Sequence, residues 1–248
     1  MKAVLLITLT LALFLAPVAA QTRSTTTTKA TAARSPEIGQ TAVVVDETLS
    51  MLRMKPSLFA EGVHRMRRGR RVQILGATEA DGVKFYRVTV PPRNYGWVQS
   101  DAVFGKFRPG DEDRLAKLVQ AADGFEQLEI AVEFFNLYPQ SKLRPAILLL
   151  YGDLLEDTAS RLSKDAASRL SRKEMAASAA PAHSYYLNFN MLDRYRKLGI
   201  IFLLNSSTRQ FHYDGQTWKE ILSKFPTAPE AAEAQKRLDT LKQKMERK

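Results

Sequence analysis

Histidines are the first residues of this chain to consider as catalytic bases or metal ligands. The three are His64, His183 and His212, and no two of them stand at the spacing that metal ligands usually have. His212 begins a His-Tyr-Asp run, but side chains so close together in a helix or turn point in different directions. A base oriented by Asp214 is therefore not expected, and the sequence predicts no catalytic residue, no metal site and no cofactor.

Acidic residues are the second candidates for acid–base chemistry. Asp153, Glu156 and Asp157 stand close together on the polar side of a predicted helix, beside Arg161. Salt pairs between residues one helical turn apart are the ordinary role of such a group. Phosphate-binding glycine loops and Gly-x-Ser-x-Gly elbows are absent from the sequence. We therefore expect a non-enzymatic protein, with an unfamiliar enzyme in the helical part as an alternative.

Arginines dominate the charge of one short stretch, which we expect at the tip of a hairpin. They are Arg65, Arg67, Arg68, Arg70 and Arg71. Guanidinium groups bind phosphate and carboxylate well, so the last four are candidate ligand-binding residues. The stretch Arg65–Arg71 as a whole is a candidate contact for an anionic polymer. The alternative is a solvated hairpin whose arginine side chains extend along its surface.

Three aromatic residues, Tyr86, Tyr95 and Trp97, are the candidates for a peptide-binding groove. Aromatic rings offer a large contact area and lose little conformational entropy on binding. The alternative role of each residue is packing in the core of a barrel or against a strand.

The residues around these candidates have the pattern of short β-strands. Apolar and β-branched runs occupy residues 42–45, 71–75, 85–90 and 96–98. The pairs Asp81-Gly82 and Pro91-Pro92 stand between runs, where tight turns need such residues. Several short strands with turn signals between them predict a small β-barrel or sandwich over residues 38–105.

Four stretches of this part resemble the bacterial SH3-like (SH3b) domain. They are Leu52–Ser57, Arg67–Leu75, Phe85–Val88 and Gly96–Val103. In the same order, the family has an Asn-Val-Arg-Ser-Gly-Pro segment, a Lys-Gly-x-x-Val-x-Val-Leu hairpin, a Trp-x-x-Val strand and a closing Gly-Trp-Val. The resemblance covers about residues 40–104. It implies a small SH3-like β-barrel that recognises cell-wall peptides or a segment of a protein.

From residue 106 onwards, apolar residues recur at helical spacing. Leu115, Leu118 and Val119 share one face after acidic residues that favour a helix start. The other predicted helices occupy residues 125–138, 143–162, 184–204, 217–225 and 229–246. Residues 157–183 have a thin apolar face and are expected to form a protruding helix or an extension of the preceding one. The run Ile200–Leu204 is too short to span a membrane and is expected to lie in a buried helix.

Two junctions between predicted helices are alike. Tyr138-Pro139 and Phe225-Pro226 each close one helix, because the residue before a proline disfavours helical geometry. Over residues 125–156 and 214–246 the pattern is similar to tetratricopeptide-like repeats. The spacing of the prolines indicates a degenerate or interrupted repeat. This resemblance implies an all-α array of helical hairpins over residues 106–248, with a concave surface for a protein partner.

Residues 1–20 have the pattern of a cleavable secretory signal peptide. Lys2 precedes an apolar stretch, and Pro17 precedes the small residues of a cleavage site. Residues 21–37 are rich in threonine and predict a disordered linker. The chain has no cysteine, which excludes disulfides and a lipid-modified cysteine. We therefore expect an exported protein, periplasmic or secreted, that is not a lipoprotein and does not span a membrane after signal cleavage.

The formal net charge of +11 suits an envelope protein that faces anionic polymers or phospholipid headgroups. Export would remove the chain from genomic nucleic acid, so no nucleic-acid partner is expected. The leading hypothesis is an exported, non-enzymatic binding or scaffold protein of the bacterial cell envelope that recognises a cell-wall peptide or an envelope protein. The alternative is an accessory regulator or targeting factor of a cell-wall hydrolase.

Overall fold

The computed structural model describes residues 35–90, 94–169 and 192–247. The predicted signal peptide, most of the predicted linker and the Pro91-Pro92 turn lie outside these residues. From Ser35 onwards the described residues form one compact unit. That unit begins inside the predicted linker, where Glu37 is buried and accepts a hydrogen bond from Lys84.

Seven strands form one antiparallel sheet that curls into a half-barrel. They are β1 (Thr41–Val44), β2 (Met51–Arg53), β3 (Gly62–Arg65), β4 (Arg71–Ala80), β5 (Val83–Val90), β6 (Asn94–Gln99) and β7 (Val103–Phe104). Their order in the sheet is β3-β2-β6-β5-β4-β1-β7. The sequence therefore correctly predicted a curled β-structure in this half of the chain.

Alternating side chains place one face of this sheet in a hydrophobic core. Its members are Ala42, Val44, Leu52, Met66, Val72, Ile74, Tyr86, Val88, Val90, Val98, Ala102 and Val103. Between β4 and β5, Asp81 and Gly82 have φ angles of 52° and 71°. Left-handed backbone at both residues is the geometry of a tight two-residue hairpin, which confirms the predicted turn.

Six helices and one further hairpin make up the described part of the C-terminal half. The helices are α1 (Asp111–Ala121), α2 (Gly124–Leu137), α3 (Arg144–Arg169), α4 (Leu192–Lys197), α5 (Gln216–Lys224) and α6 (Ala231–Glu246). The first part of the predicted segment 157–183 continues the preceding helix to the end of α3, and the rest lies outside the described residues. Helices α2 and α5 each end just before the aromatic residue of a predicted proline junction, as expected.

The hairpin corrects the expectation of an all-α C-terminal half. Its strands, β8 (Phe202–Asn205) and β9 (Gln210–Tyr213), pair antiparallel. The predicted helix over residues 184–204 is therefore wrong at its end. In the run Ile200–Leu204, Ile200 is buried while Ile201 and Leu203 are exposed, as in a strand. So short an apolar run has no period that separates a strand from a buried helix, so the sequence does not show which of the two forms. The pairing with β9 determines that residues 202–205 form a strand.

The sheet and the helices share a second hydrophobic core. Val45 and Phe104, at one edge of the sheet, pack into the same cluster as Leu115 and Phe134. The Tyr138 hydroxyl, at the end of α2, donates a hydrogen bond to the Gly105 carbonyl at 3.1 Å. The curled sheet is thus fixed against α1 and α2. Within the described residues, every helix falls short of the length and apolarity that a membrane crossing requires.

Candidate ligand-binding face

Three neighbouring strands present a row of arginine and tryptophan side chains on the outer face of the sheet. Trp97 in β6 is directly opposite Arg87 in β5 and Arg53 in β2. Residues directly opposite in an antiparallel pair point to the same face. Tyr95 lies two residues before Trp97 on the same strand and therefore shares that face. We call Arg53, Arg87, Tyr95 and Trp97 the aromatic–arginine face.

The aromatic–arginine face is accessible to a ligand. Tyr95 is 60% exposed, Arg87 is exposed, and Trp97 and Arg53 are half-buried. Arg87 forms no ion pair with any residue that the structure describes. Arg53 donates from Nη1 to the Ala60 carbonyl at 2.7 Å, while its enclosed Nε has no hydrogen-bond partner. An indole between two guanidinium groups suits an anionic ligand with flat groups to stack.

The segment between β2 and β3 borders this face. The Asp81 carboxylate accepts hydrogen bonds from the Ser57 hydroxyl at 2.6 Å and the Leu58 amide at 2.8 Å. These two bonds hold the pKa of Asp81 below its ordinary value. In the same segment Met54 is 63% and Phe59 90% exposed. The segment is thus anchored to the β4–β5 turn and adds apolar surface next to the face.

Tyr86, the third predicted aromatic, is a core residue and does not line an exposed surface. Its side chain is fully buried, with its ring edge-on to Phe107 at 6.5 Å. Burial raises the pKa of the phenol. Successive side chains on a strand point to opposite faces, so Tyr86 lies behind the sheet while its neighbour Arg87 lies in front.

The four predicted arginines do not act as one cluster. They do not lie at a hairpin tip, because β3 and β4 are not neighbours in the sheet. Arg68 is turned inward: Nε donates to the Val45 carbonyl at 2.8 Å, and the guanidinium pairs with Glu126 and Glu129 of α2. It holds the sheet against the helices and is not available to a ligand. Arg67, Arg70 and Arg71 are exposed, and Arg70 is engaged within the structure.

His212 has a carboxylate partner, but a different one from the neighbour in sequence. Its Nδ1 lies 3.0 Å from the Glu156 carboxylate of α3, which also accepts hydrogen bonds from Lys244 at 2.7 Å and the Tyr213 amide at 2.9 Å. Asp214 instead accepts from the Gln216 amide. Burial raises the pKa of Glu156, but the three donors outweigh it and lower the pKa overall. We call Glu156, His212 and Lys244 the Glu156 cluster.

The other acidic residues of α3 also differ from expectation. Asp153 pairs with Arg237 of α6 at 3.0 Å, whereas Arg161 donates to Thr158. The partners of Asp153 and Glu156 thus come from distant segments and not from the next helical turn. Among the described residues, no three histidine or acidic side chains converge in a way that could hold a metal ion.

Comparison with known proteins adds nothing to this geometry. No protein-family model, curated protein or solved structure matches the chain. Any function must therefore be argued from the residues themselves.

Proposed function

We propose that this chain is an exported, non-enzymatic binding or scaffold protein of the bacterial cell envelope. Its ligand in this proposal is a cell-wall peptide or an extended segment of an envelope protein, held on the aromatic–arginine face. The observation that carries the proposal is the row formed by the exposed Arg87 and the half-buried Trp97 and Arg53, with the exposed Tyr95 beside it.

The chemistry of this row favours an acidic, extended peptide. Tryptophan, tyrosine and arginine are the residues that contribute most to binding energy at protein interfaces. Carboxylates of the ligand would pair with the exposed guanidinium of Arg87, where a charge-assisted hydrogen bond is worth more than a neutral one. Peptide groups would stack on Trp97 and Tyr95, which lose little conformational entropy because aromatic side chains have few rotatable bonds.

The resemblances support the same proposal at the level of architecture. The curled antiparallel sheet is compatible with an SH3-like barrel, and the paired helices α2–α3 and α5–α6 are compatible with helical-hairpin units. SH3-like recognition of cell-wall peptides is thus part of the proposal. So is export, which rests on residues 1–20.

Binding to purified cell-wall sacculi in a sedimentation assay tests the ligand. The double variant Tyr95→Ala/Arg87→Gln should bind at least about tenfold more weakly than the natural protein, a loss of about 1.4 kcal/mol. The control variant Ile201→Ala/Arg209→Gln changes an exposed apolar residue and an exposed arginine in the C-terminal half, and should bind normally. If the natural protein does not sediment with sacculi, the same variants are compared on envelope proteins captured by the natural protein. Equal binding by both variants in both assays would contradict the proposal.

Two further measurements test the other parts of the proposal. The mass of the protein recovered from the culture's exported fraction should correspond to a chain that starts near Gln21. A chain that retains residues 1–20 and stays in the cytoplasm would contradict the proposed export. Hydrolysis of purified peptidoglycan that a point mutation abolishes would show an enzyme instead.

A further inference from the structure

A groove of about 670 Å³ lies between the beginning of the sheet and helix α2. Its lining includes Gly69, Arg71, Lys106, Glu133 and Asn136. None of these residues belongs to the aromatic–arginine face. The volume falls within the range of small-molecule sites, about 300–1,000 Å³.

Two cationic side chains line this groove. The side chains of Arg71 and Lys106 are exposed. Neither forms an ion pair with a carboxylate in the described part of the chain. Arg68, the residue immediately before Gly69, is by contrast paired twice. Unpaired guanidinium and ammonium groups at one groove are ready donors for a carboxylate.

One carboxylate faces the same groove. Glu133 of α2 is half-buried, and Asn136 lines the same groove. A Cβ added to Gly69 would stand 3.0 Å from Glu133 Oε1, so this oxygen lies directly over the glycine backbone. Burial raises the pKa of Glu133, although the nearby Arg68 and Arg71 act in the opposite direction. The carboxylate thus has few internal partners and is an acceptor for a bound cation.

We propose that this groove binds a zwitterionic amino-acid-like ligand, namely a free amino acid or the end of a short peptide. Its carboxylate lies at Arg71 and Lys106, and its ammonium group lies at Glu133 and the Asn136 amide oxygen. A simple anion such as phosphate fits less well, because Glu133 repels it. The inference concerns different residues from the aromatic–arginine face and stands without the proposed function.

Calorimetric titration of the chain from Gln21 onwards tests this site with alanyl-alanine as the probe. The free dipeptide should bind, and N-acetylation or C-terminal amidation should each weaken binding about tenfold, which is 1.4 kcal/mol. Lys106→Gln should weaken the free dipeptide but leave the amidated one unchanged. Glu133→Gln should weaken the free dipeptide but leave the acetylated one unchanged. This crossed pattern is specific for a site that binds both the ammonium group and the carboxylate of the dipeptide.

Two control variants and one comparison of ligands complete the test. Tyr95→Ala should leave alanyl-alanine binding unchanged, which separates this groove from the aromatic–arginine face. Arg209 is an exposed arginine outside the groove, so Arg209→Gln should also leave alanyl-alanine binding unchanged. Tighter binding of the dipeptide than of free alanine would assign the ligand to a peptide end, and the reverse order would assign it to a free amino acid. Absence of dipeptide binding up to millimolar concentration, or equal binding of the blocked probes and of inorganic phosphate, would overturn the inference.

Discussion

Two carboxylates on neighbouring helices have opposite environments in this protein. Burial raises the pKa of both Glu156 in α3 and Glu133 in α2. In the Glu156 cluster, Lys244, His212 and a backbone amide outweigh that effect and lower the pKa. For Glu133 the nearby Arg68, Arg71 and Asn136 do not outweigh burial, and its pKa stays raised.

This difference separates stabilising contacts from candidate binding sites. Charges whose partners are supplied by the chain hold segments together, as Arg68 does between sheet and helix. Charges without an ion pair in the described part of the chain are available to a ligand; such a charge costs stability where it is partly buried and little where it is exposed to water. Glu133, which is half-buried, and Arg71 and Arg87, which are exposed, belong to the second kind. The following variants test whether the two kinds behave differently.

The largest effect is expected where α3 meets α5 in the well-packed C-terminal half. A Cβ at Gly152 would stand 2.3 Å from Trp218 Nε1 and 2.7 Å from Thr217 Oγ1. Gly152→Ala should therefore reduce the free energy of unfolding by about 3 kcal/mol in urea denaturation, despite the better helix propensity of alanine. Gly76→Ala is the control, since its Cβ would meet its nearest neighbour at an ordinary 3.8 Å. Equal effects of the two substitutions would contradict this packing.

Removing the Glu156 carboxylate should have the next largest effect. Glu156→Ala leaves Lys244, His212 and the Tyr213 amide without their acceptor, and we expect a loss of about 2 kcal/mol in unfolding free energy. The matched control is Asp157→Ala, which removes an exposed carboxylate from the next position of the same helix. A loss no larger than that of the control would show that the Glu156 cluster does not stabilise the fold.

The pH dependence of stability should differ in sign between the two carboxylates. Because the pKa of Glu156 is lowered in the folded state, its contribution is present above about pH 4.5 and is lost as the pH falls through the folded pKa. Because the pKa of Glu133 is raised, its ionisation destabilises the fold as the pH rises through the folded pKa. Melting temperatures between pH 3 and pH 7 should show Glu156→Gln less stable than the natural protein at neutral pH and Glu133→Gln more stable. Both differences in melting temperature should shrink towards the acid end of the range. Changes of the same sign at neutral pH would show that the two carboxylates do not have opposite effects on stability.

The smallest effect on stability is expected on the aromatic–arginine face. Tyr95→Ala and Arg87→Gln change exposed side chains without ion pairs in the described structure, so each should alter the unfolding free energy by less than about 0.5 kcal/mol. Circular-dichroism melts measure this directly. A loss above 1 kcal/mol, by the same scale, would assign these residues to folding and not to recognition.

Local signals in the sequence were sufficient for turns and helix ends. Asp81-Gly82 forms the predicted hairpin, and the prolines at 139 and 226 end the predicted helices, because these residues restrict the backbone by themselves. The run Ile200–Leu204 was misassigned because its conformation depends on pairing with residues 210–213. Such a pairing cannot be read from the run alone.

The sequence predicted only part of the candidate site, because the rest depends on how strands pair. Tyr95 and Trp97 share a face by the two-residue period of a strand, which the sequence shows directly. Arg53 and Arg87 were missed because their position beside Trp97 depends on the register of three strands. The two-residue period of a strand places Tyr86 and Arg87 on opposite faces of the sheet. It does not show which of the two residues is buried. Arg68 was misjudged because Glu126 and Glu129 are distant in the sequence.

Site-specific photocrosslinking in bacterial cells is the most direct test of ligand recognition through the aromatic–arginine face. A benzophenone amino acid is placed at Tyr95 or, as the control, at Ile201, because these two side chains are 60% and 57% exposed. We expect that Tyr95 yields a defined adduct with cell-wall peptide or with one envelope protein, identified by mass spectrometry, and that Ile201 does not. Adducts of the same identity and yield from both positions, or none from Tyr95, would contradict recognition through the aromatic–arginine face.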